Sequence, residues 1–328
     1  MSTPLLTTKL YIPPPRPALV PRPRLVEQLN TGLNCKLALI SAPAGFGKTT
    51  LLSEWIYAVE TADESIPTLF AWLSLDKGDN DPNRFWSYFV SALREVRADI
   101  GEATLAMLQS PQPPPVETLV ADLINEVAAA SPAPLVLVLD DLHLVTTAQI
   151  HNTLTFLVEH LPPQMHLVVS GRADPPWPLA RLRARCDIAE VRADALRFTR
   201  EEAFAFLNNV MKLGLAPEDV AALEERTEGW IAGLQMAALA MQSRLAAPGR
   251  PAAQERLSAR DDLAGFVKAF TGSNRFVLDY LIEEVWERQS PAIQEFLLKT
   301  CLLERMSAPL CDAVTGRNDS QSILSQLD

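Results

Sequence analysis

The chain has 328 residues, of which 48% are hydrophobic and 21% charged, values typical of folded domains that exclude wholesale disorder. Its formal charge at pH 7 is −11, from 29 basic and 40 acidic residues, so the chain as a whole does not attract nucleic acid or an anionic membrane. No apolar run approaches the ~20 residues that cross a bilayer. The length predicts two or three domains, and we expect a cytoplasmic location with no membrane partner.

The N-terminal segment is rich in proline. Seven prolines fall within the first 23 residues, and each of them lacks a backbone donor and blocks helix continuation. We therefore predict that these first 23 residues are extended and not helical, within a proline-rich N-terminal arm of residues 1–34. The first cysteine follows this arm, and none of the four shows CxxC spacing, so we expect buried, reduced thiols rather than a zinc site or a disulfide framework. They are Cys35, Cys186, Cys301 and Cys311.

Short apolar segments alternate with segments of helical period from residue 35 to residue 195. This alternation predicts an α/β fold with a parallel sheet flanked by helices. The predicted strands are residues 35–41, 69–75, 135–139, 166–170 and 188–191, and helices are predicted at residues 49–59, 84–96 and 116–130.

The strand pattern ends near residue 195, and helical patterns follow. Thr199 and Glu202 have the spacing of a capping box, which predicts a helix start. We predict an all-α helical domain at residues 196–245, a linker at 245–260, and a further helical unit at 262–328. The chain stops in a polar string without a clear stop signal, so we expect it to be a piece of a longer protein.

The segment APAGFGKT, residues 42–49, lies between the first predicted strand and the first predicted helix. It matches the phosphate-binding pattern GxxxxGK[ST], except that alanine replaces the first glycine. The motif predicts that residues 35–195 form a P-loop NTPase domain. Small residues let backbone N–H groups turn towards phosphate oxygens at a helix N-terminus. We expect Lys48 to contact the β and γ phosphates and the Thr49 hydroxyl to coordinate Mg²⁺. The predicted nucleotide-binding residues are Ala42, Pro43, Ala44, Gly45, Phe46, Gly47, Lys48, Thr49 and Thr50.

Polar residues follow the third and fourth predicted strands, at the sheet edge where open parallel sheets bind ligands. Asp140 is expected to hold the metal, directly or through a water. Asp141 is placed to orient or deprotonate the attacking water, or else it is a solvated or capping carboxylate. Arg172 follows the next strand and either contacts the γ phosphate or forms a surface ion pair. His143 is nearby, and we interpret it and His151 as structural residues. Lys48, Asp141 and Arg172 are therefore the catalytic candidates.

At this point the sequence resembles the N-terminal half of the MalT-like, LuxR-type ATP-dependent transcriptional regulators, which are signal-transduction ATPases with numerous domains. Guanine-specific NKxD and the LSGGQ signature are absent from the sequence, so adenine is favoured. The resemblance extends over essentially the whole chain. The segments that carry it are LLTTKLYIPPPRPALVPRPRLVEQLN, SAPAGFGKTTLLSEW, AWLSLDKGDNDPNRFWSYFVSAL, LVLVLDDLHLV, SGRADPPWPLARLRAR, LRFTREEAFAFL and TEGWIAGLQMAALAM.

The resemblance implies ATP or ADP with Mg²⁺ as cofactors, and an adenine pocket partly formed by the arm. Val20 and Arg22 are the candidates for base contact, and a structural arm is the alternative. It also implies a winged-helix domain at 262–328, which the sequence shows truncated, and DNA binding only through a C-terminal domain absent from this chain.

The implied function is a nucleotide-dependent switch. ADP holds the domains closed, and a small-molecule or protein inducer permits exchange for ATP and self-association, with slow hydrolysis as the reset. A remodelling ATPase, or an interaction scaffold with a structural nucleotide, remains the alternative, and a small-molecule kinase is less favoured.

Overall fold

The computed structural model describes residues 5–62, 67–110, 112–130, 133–245, 265–267, 275–287, 289–303 and 305–327. The chain divides into two compact units, Met1–Lys268 and Ala269–Asp328. The first unit contains both the predicted NTPase domain and the predicted helical domain. The predicted linker at 245–260 lies, apart from its first residue, outside the described residues, as does the predicted start of the last domain at residue 262.

The sheet of the first unit has five parallel strands in the order β2-β3-β4-β1-β5. The predicted α/β fold with a parallel sheet is thus confirmed, and each strand lies within about two residues of its predicted bounds. The strands are β1 Leu37–Ser41, β2 Leu69–Ser74, β3 Leu135–Asp140, β4 Met165–Gly171 and β5 Ile188–Arg192.

In the described residues, eight α-helices connect or flank these strands. Each predicted helix of this region is present, with bounds shifted by one or two residues. They are α1 Pro23–Gly32, α2 Lys48–Glu60, α3 Pro82–Val96, α4 Glu102–Leu108, α5 Val116–Ala129, α6 Ala148–His160, α7 Leu179–Ala184 and α8 Ala193–Leu196.

Helices cover both faces of the sheet. Side chains alternate between the two faces along each strand, so each strand contributes to both cores. In β1, Leu37 and Leu39 pack in one core with residues of α3, α5 and α6. Ala38 and Ile40 pack in the other core with residues of α1 and α2. Strands buried on both faces are continuous apolar runs, which explains why the sequence showed them so clearly.

The prediction of an extended N-terminal arm requires correction. Residues Thr7–Leu10 form a short 3₁₀ helix, and the last third of the predicted arm is helix α1. Pro23 starts this helix at a position where its missing N–H costs nothing. Leu25 and Leu29 are buried in the core between this helix, the sheet and α2. Asn30 Oδ1 accepts a hydrogen bond from Trp55 Nε1 at 2.8 Å. The arm is therefore part of the packed unit.

The cysteine prediction was also partly wrong. All four thiols are free, but only Cys311 is buried. Cys35 is half-buried, while Cys186 and Cys301 are exposed. The spacing of cysteines along the sequence does not predict their exposure. Cys186 lies in the turn between α7 and β5 and is exposed there.

The start of the chain is bound to the region that follows β2. The Lys9 ammonium pairs with Asp76 at 3.0 Å and with the fully buried Asp79, and it lies 4.5 Å from the centre of the Tyr88 ring. The Tyr88 hydroxyl accepts a bond from Leu6 N at 2.9 Å. The arm is thus held by charged and polar contacts as well as by apolar packing.

Tyr88→Phe is expected to weaken this attachment. The variant keeps the buried ring but leaves Leu6 N–H without its partner, which should lower the free energy of unfolding by about 1 kcal/mol. Tyr57→Phe is the matched control, since Tyr57 is 57% exposed. Urea denaturation measures both variants, and an equal effect in the two would contradict the assigned bond.

The helical region after the sheet begins as predicted. Thr199 accepts a bond from Glu202 N at 3.2 Å, and the Glu202 carboxylate accepts one from Thr199 N at 3.0 Å, forming the capping box. The helices are α9 Arg200–Phe204, which continues as a π-helical segment to Val210, α10 Pro217–Thr227 and α11 Ile231–Leu245.

The second unit, in its described residues, consists of helices, and the last three of them enclose a small core of Phe296, Cys311 and Ile323. The helices are α12 Arg275–Leu281, extended by a π-helical segment to Trp286, α13 Pro291–Thr300, α14 Ala308–Thr315 and α15 Ser320–Leu327. Among the described residues of both units, no helix combines the length and apolar character that crossing a membrane requires.

Candidate functional site

The loop between β1 and α2 has the backbone geometry of an anion-binding loop. Gly45 and Gly47 have left-handed φ values of 79° and 75°, a conformation that residues with a Cβ adopt only at a cost. Gly47 directly precedes the 13-residue helix α2. The first N–H groups of a helix have no partner within it and carry partial positive charge. The loop therefore presents donors suited to phosphate oxygens.

Lys48, the first residue of α2, is buried with 8% of its surface exposed. Its ammonium donates to the carbonyls of Ala42 at 2.7 Å and Pro43 at 2.9 Å. Burial lowers the pKa of Lys48 to about 8, while the charge of Asp141 opposes this shift. A phosphate placed next to this ammonium would offset the cost of burying its charge.

A buried carboxylate faces the start of the same helix. Asp140, at the end of β3, is 4% exposed, and its Oδ2 accepts a bond from Thr49 Oγ1 at 2.9 Å. Ser170 donates to its other oxygen. Burial and the neighbouring charge of Asp141 raise the pKa of Asp140. A carboxylate beside a hydroxyl, with its charge penalised by burial, is a donor set that fits Mg²⁺.

Ser170 was missed as a site residue by the sequence analysis. It lies in β4, beside β3 in the sheet, and it both donates to Asp140 and accepts a bond from Asp141 N at 3.1 Å. The position at the end of an apolar strand, in SGR, was the available signal. Among the described residues, no cluster of three or more His, Cys, Asp and Glu side chains could hold a metal by itself, so a cation here would need phosphate or water ligands.

Asp141 lies at the surface of the site. Its backbone is left-handed, with φ 62°, and its side chain is 45% exposed, with Oδ1 3.7 Å from His143 Nδ1. His151, by contrast, is buried and contacts the carbonyl of Val145 through Nε2 at 2.7 Å. The structure thus brings Asp141 to the site edge, where its charge acts on Lys48, and it agrees with a structural role for His151.

Arg172 also reaches this edge. It directly follows β4 and is half-buried, and its charge contributes to the lowered pKa of Lys48 after the larger effect of burial. The residue thus follows a strand that neighbours both β1 and β3, at the edge of the sheet where the phosphate-binding loop begins. A role in contacting the γ phosphate remains a prediction.

Val20 and Arg22 are both buried, at 8% and 4% exposed, but Arg22 contacts the protein itself. Its guanidinium donates to the carbonyls of Leu196 at 2.7 Å and Arg197 at 3.2 Å, and it lies 3.5 Å from the Glu202 carboxylate. These contacts give Arg22 a structural role that ties the arm to the helical region. Base contact by either residue remains a prediction.

The helical region contacts the phosphate-binding loop directly, through hydrogen bonds that no residue pattern in the sequence predicted. Trp230 Nε1 donates to the carbonyl of Ala44 at 3.0 Å, and Ala232 N donates to that of Gly45 at 3.1 Å. A Cβ built on Gly47 would lie 3.1 Å from Ile231 Cδ1. The segment TEGWIAGLQ was noted for its resemblance, but nothing local in it indicates this contact.

Gly229 positions Trp230. Its φ is 68°, and a Cβ there would lie 2.6 Å from the carbonyl oxygen of Phe198. Phe198 N in turn donates to Gly229 O at 2.9 Å. The glycine thus lets the chain pass close to residue 198 and then turn towards the loop.

Comparison with known proteins agrees with this geometry. The AAA ATPase domain family matches residues 23–170, and the MalT winged helix domain family matches residues 282–328. The chain is 34% identical over 324 residues to the HTH-type transcriptional regulator MalT of Cronobacter sakazakii, covering 99% of this chain and 33% of that protein. This chain is thus similar to the MalT regulators along nearly its whole length. The MalT of Klebsiella pneumoniae subsp. pneumoniae is also 34% identical, over 325 residues, with the same coverage of both chains.

The chain spans about one third of the length of these MalT relatives. Among solved structures, the Walker-type ATPase PABY2304 of Pyrococcus abyssi is similar with a TM-score of 0.52 and 14% identity, covering 95% of this chain and 90% of that one. That likeness concerns the fold alone. The MalT resemblance and the presence of a winged-helix domain are confirmed, whereas the predicted domain boundaries stay predictions.

Proposed function

We propose that this MalT-related chain is a nucleotide-dependent switch in which residues 42–50 bind ATP or ADP. The observation that carries the proposal is the pair of hydrogen bonds from Trp230 and Ala232 to the carbonyls of the phosphate-binding loop. Because the helical region bonds to the loop itself, a change in the loop's phosphate contacts changes the partners of the helical region. The bound nucleotide can therefore bias the conformation beyond the sheet.

The chain's own residues divide the work at this site. Lys48 and the backbone N–H groups of the loop would bind the phosphates, while Thr49 and Asp140 would hold a Mg²⁺ ion, which would supply charge neutralisation. Asp141, which is exposed at the edge of the site, orients the attacking water or accepts a proton from it. Arg172 stabilises charge on the γ phosphate. The exposure of Asp141 leaves water access open, which is consistent with slow hydrolysis.

The switch works through a population shift. A nucleotide moves a two-state equilibrium only by the difference in its affinity for the two states, and about 5.5 kcal/mol of difference inverts a 1:99 ratio. ADP would favour the closed state, and ATP an open state that self-associates. An inducer, either a small molecule or a protein, would permit the exchange. DNA would be contacted only through a domain outside this sequence, and transcription control is the proposed output.

A remodelling ATPase predicts rapid steady-state turnover, stimulated by a polymer substrate. A scaffold with a structural nucleotide predicts that bound ADP does not exchange under any condition. The contact between Trp230 and the loop favours the switch over both, because it couples nucleotide contacts to a helical region without requiring turnover.

Trp230→Phe tests this coupling. The variant keeps an aromatic ring but loses the Nε1–H donated to Ala44 and part of the packing surface of the indole, so the helical region should hold the loop at least about 1 kcal/mol less tightly. We expect ADP dissociation, followed with a fluorescent analogue, to become about fivefold faster. Trp177→Phe is the matched control, because the buried Trp177 Nε1 has no hydrogen-bond partner in the described structure. Unchanged dissociation in Trp230→Phe would count against the proposed coupling.

A further inference from the structure

Two cysteines precede neighbouring strands at the end of the sheet opposite the phosphate-binding loop. Cys35 lies two residues before β1, and Cys186 lies two residues before β5. These strands pair in parallel, and Leu37 faces Ile188. Each cysteine lies two positions before one member of this pair. The pairing reaches one residue further, since Leu37 N donates to Asp187 O at 3.1 Å.

The strand spacing suits a disulfide. Neighbouring strands lie about 4.7–4.9 Å apart, and the Cα atoms of disulfide-bonded cysteines lie about 4.4–6.8 Å apart. Cys35 is held in place, because its carbonyl contacts His166 Nδ1 at 2.8 Å. Cys186 N donates to Arg183 O at 3.1 Å in the turn after α7. Both backbones are therefore fixed where the strands begin.

The two thiols differ in access. Cys186 is exposed, whereas Cys35 is half-buried. Burial raises the pKa of the Cys35 thiol, and the charges of Asp187 and Cys186 raise it further, which shows that the thiols are within electrostatic reach. Cys186 also has a left-handed φ of 56°, a conformation that cysteine rarely adopts. The backbone conformation of the turn is therefore not the reason for a cysteine at this position. A reagent from solvent meets Cys186 first.

We propose that Cys35 and Cys186 form a dithiol site that a low-molecular-weight disulfide, such as glutathione disulfide, oxidises to an intramolecular disulfide. The Cys186 thiolate attacks one sulfur of the reagent, the reagent's S–S bond breaks, and one thiolate leaves. Cys35 then loses its proton to solvent and attacks Cys186 Sγ, and the second reagent thiol leaves. The protein gives up two electrons and two protons, and the reagent is reduced to two thiols.

The cross-link would fasten the edge strand β5 to β1 without touching the phosphate-binding loop. The five residues of β1 separate the cysteine pair from the phosphate-binding loop by roughly 16 Å, at about 3.3 Å per residue. The bond also closes a long loop of chain, which constrains the unfolded state. Oxidation should therefore raise resistance to urea and leave nucleotide affinity unchanged.

The test oxidises the purified chain with glutathione disulfide, blocks the remaining thiols by alkylation, and maps peptides by mass spectrometry. The expected product is a linked Cys35–Cys186 peptide pair, with the buried Cys311 alkylated and the exposed Cys301 either alkylated or carrying glutathione. Cys35→Ser should instead retain glutathione on Cys186. A parent chain that keeps glutathione on Cys186, or links Cys186 to Cys301 or to a second chain, overturns the proposal.

Urea denaturation is the second measurement. The midpoint should rise on oxidation of the parent and of Cys301→Ser, the exposed-cysteine control, and should not rise in Cys186→Ser. A linked peptide without a rise in the midpoint would contradict the proposed fastening of β5. Nucleotide titration of the oxidised chain completes the test, because a loss of affinity would contradict the separation from the loop.

Discussion

Lys48→Ala is expected to abolish nucleotide binding by this chain. The Lys48 ammonium is buried at the first residue of α2, beside the loop carbonyls of Ala42 and Pro43. Removing one partner of a buried charge pair costs about 2–5 kcal/mol, roughly 30-fold to several-thousand-fold in affinity. Isothermal titration with ATP and with ADP measures this loss.

Lys36→Ala is the matched control for that experiment. Lys36 lies at the other end of β1, where its ammonium donates to the carbonyl of Glu159 at 2.8 Å. It should bind nucleotide like the parent. Circular dichroism must show that Lys48→Ala is folded, which we expect because burial already penalises the Lys48 charge. A folded Lys48→Ala variant that binds ATP as tightly as the parent would show that the site is wrongly assigned.

Asp140→Asn is expected to remove most of the Mg²⁺ dependence of nucleotide binding. Asparagine keeps the shape and can still contact Thr49 and Ser170, but it lacks the negative charge that the cation needs. Substitutions that disturb a metal site's ligands or their partners cost about 10–100-fold in metal affinity. Titration of Mg²⁺ into the ATP-bound chain should show a shift of this size.

The stability of Asp140→Asn provides a second readout. Burial raises the pKa of Asp140, so its charge is a cost to the nucleotide-free fold, and the neutral variant should resist urea at least as well as the parent at pH 7. Asp194→Asn, whose side chain is 96% exposed, is the matched control for both measurements. If Mg²⁺ affinity were the same in both variants and the parent, Asp140 would not be a metal ligand.

The parts of this protein that could be predicted from the sequence are those fixed by local pattern. All six residues of β3 are buried, so the strand is a continuous apolar run that ends in its carboxylate. The phosphate-binding loop is similarly local, since its glycines and Lys48 lie within a few residues. The capping box of Thr199 and Glu202 was predicted for the same reason.

The contacts that distinguish a switch from a simple nucleotide-binding domain were not predictable in this way. Trp230 and Ala44 are 186 positions apart, and no periodicity relates them. Helix α1 was missed because the density of prolines outweighed the single position, Pro23, at which a proline favours a helix start. The exposure of Cys186 likewise depends on a turn that the sequence does not mark.

The central claim is that residues 42–50 hold an adenine nucleotide whose identity sets the state of the chain. Mass spectrometry of the nucleotide released from the purified, denatured protein tests it most directly. We expect a stoichiometric amount of ADP from the parent, replaced by ATP after exchange, and none from Lys48→Ala. A guanine nucleotide, or ADP bound equally by Lys48→Ala, would contradict the account.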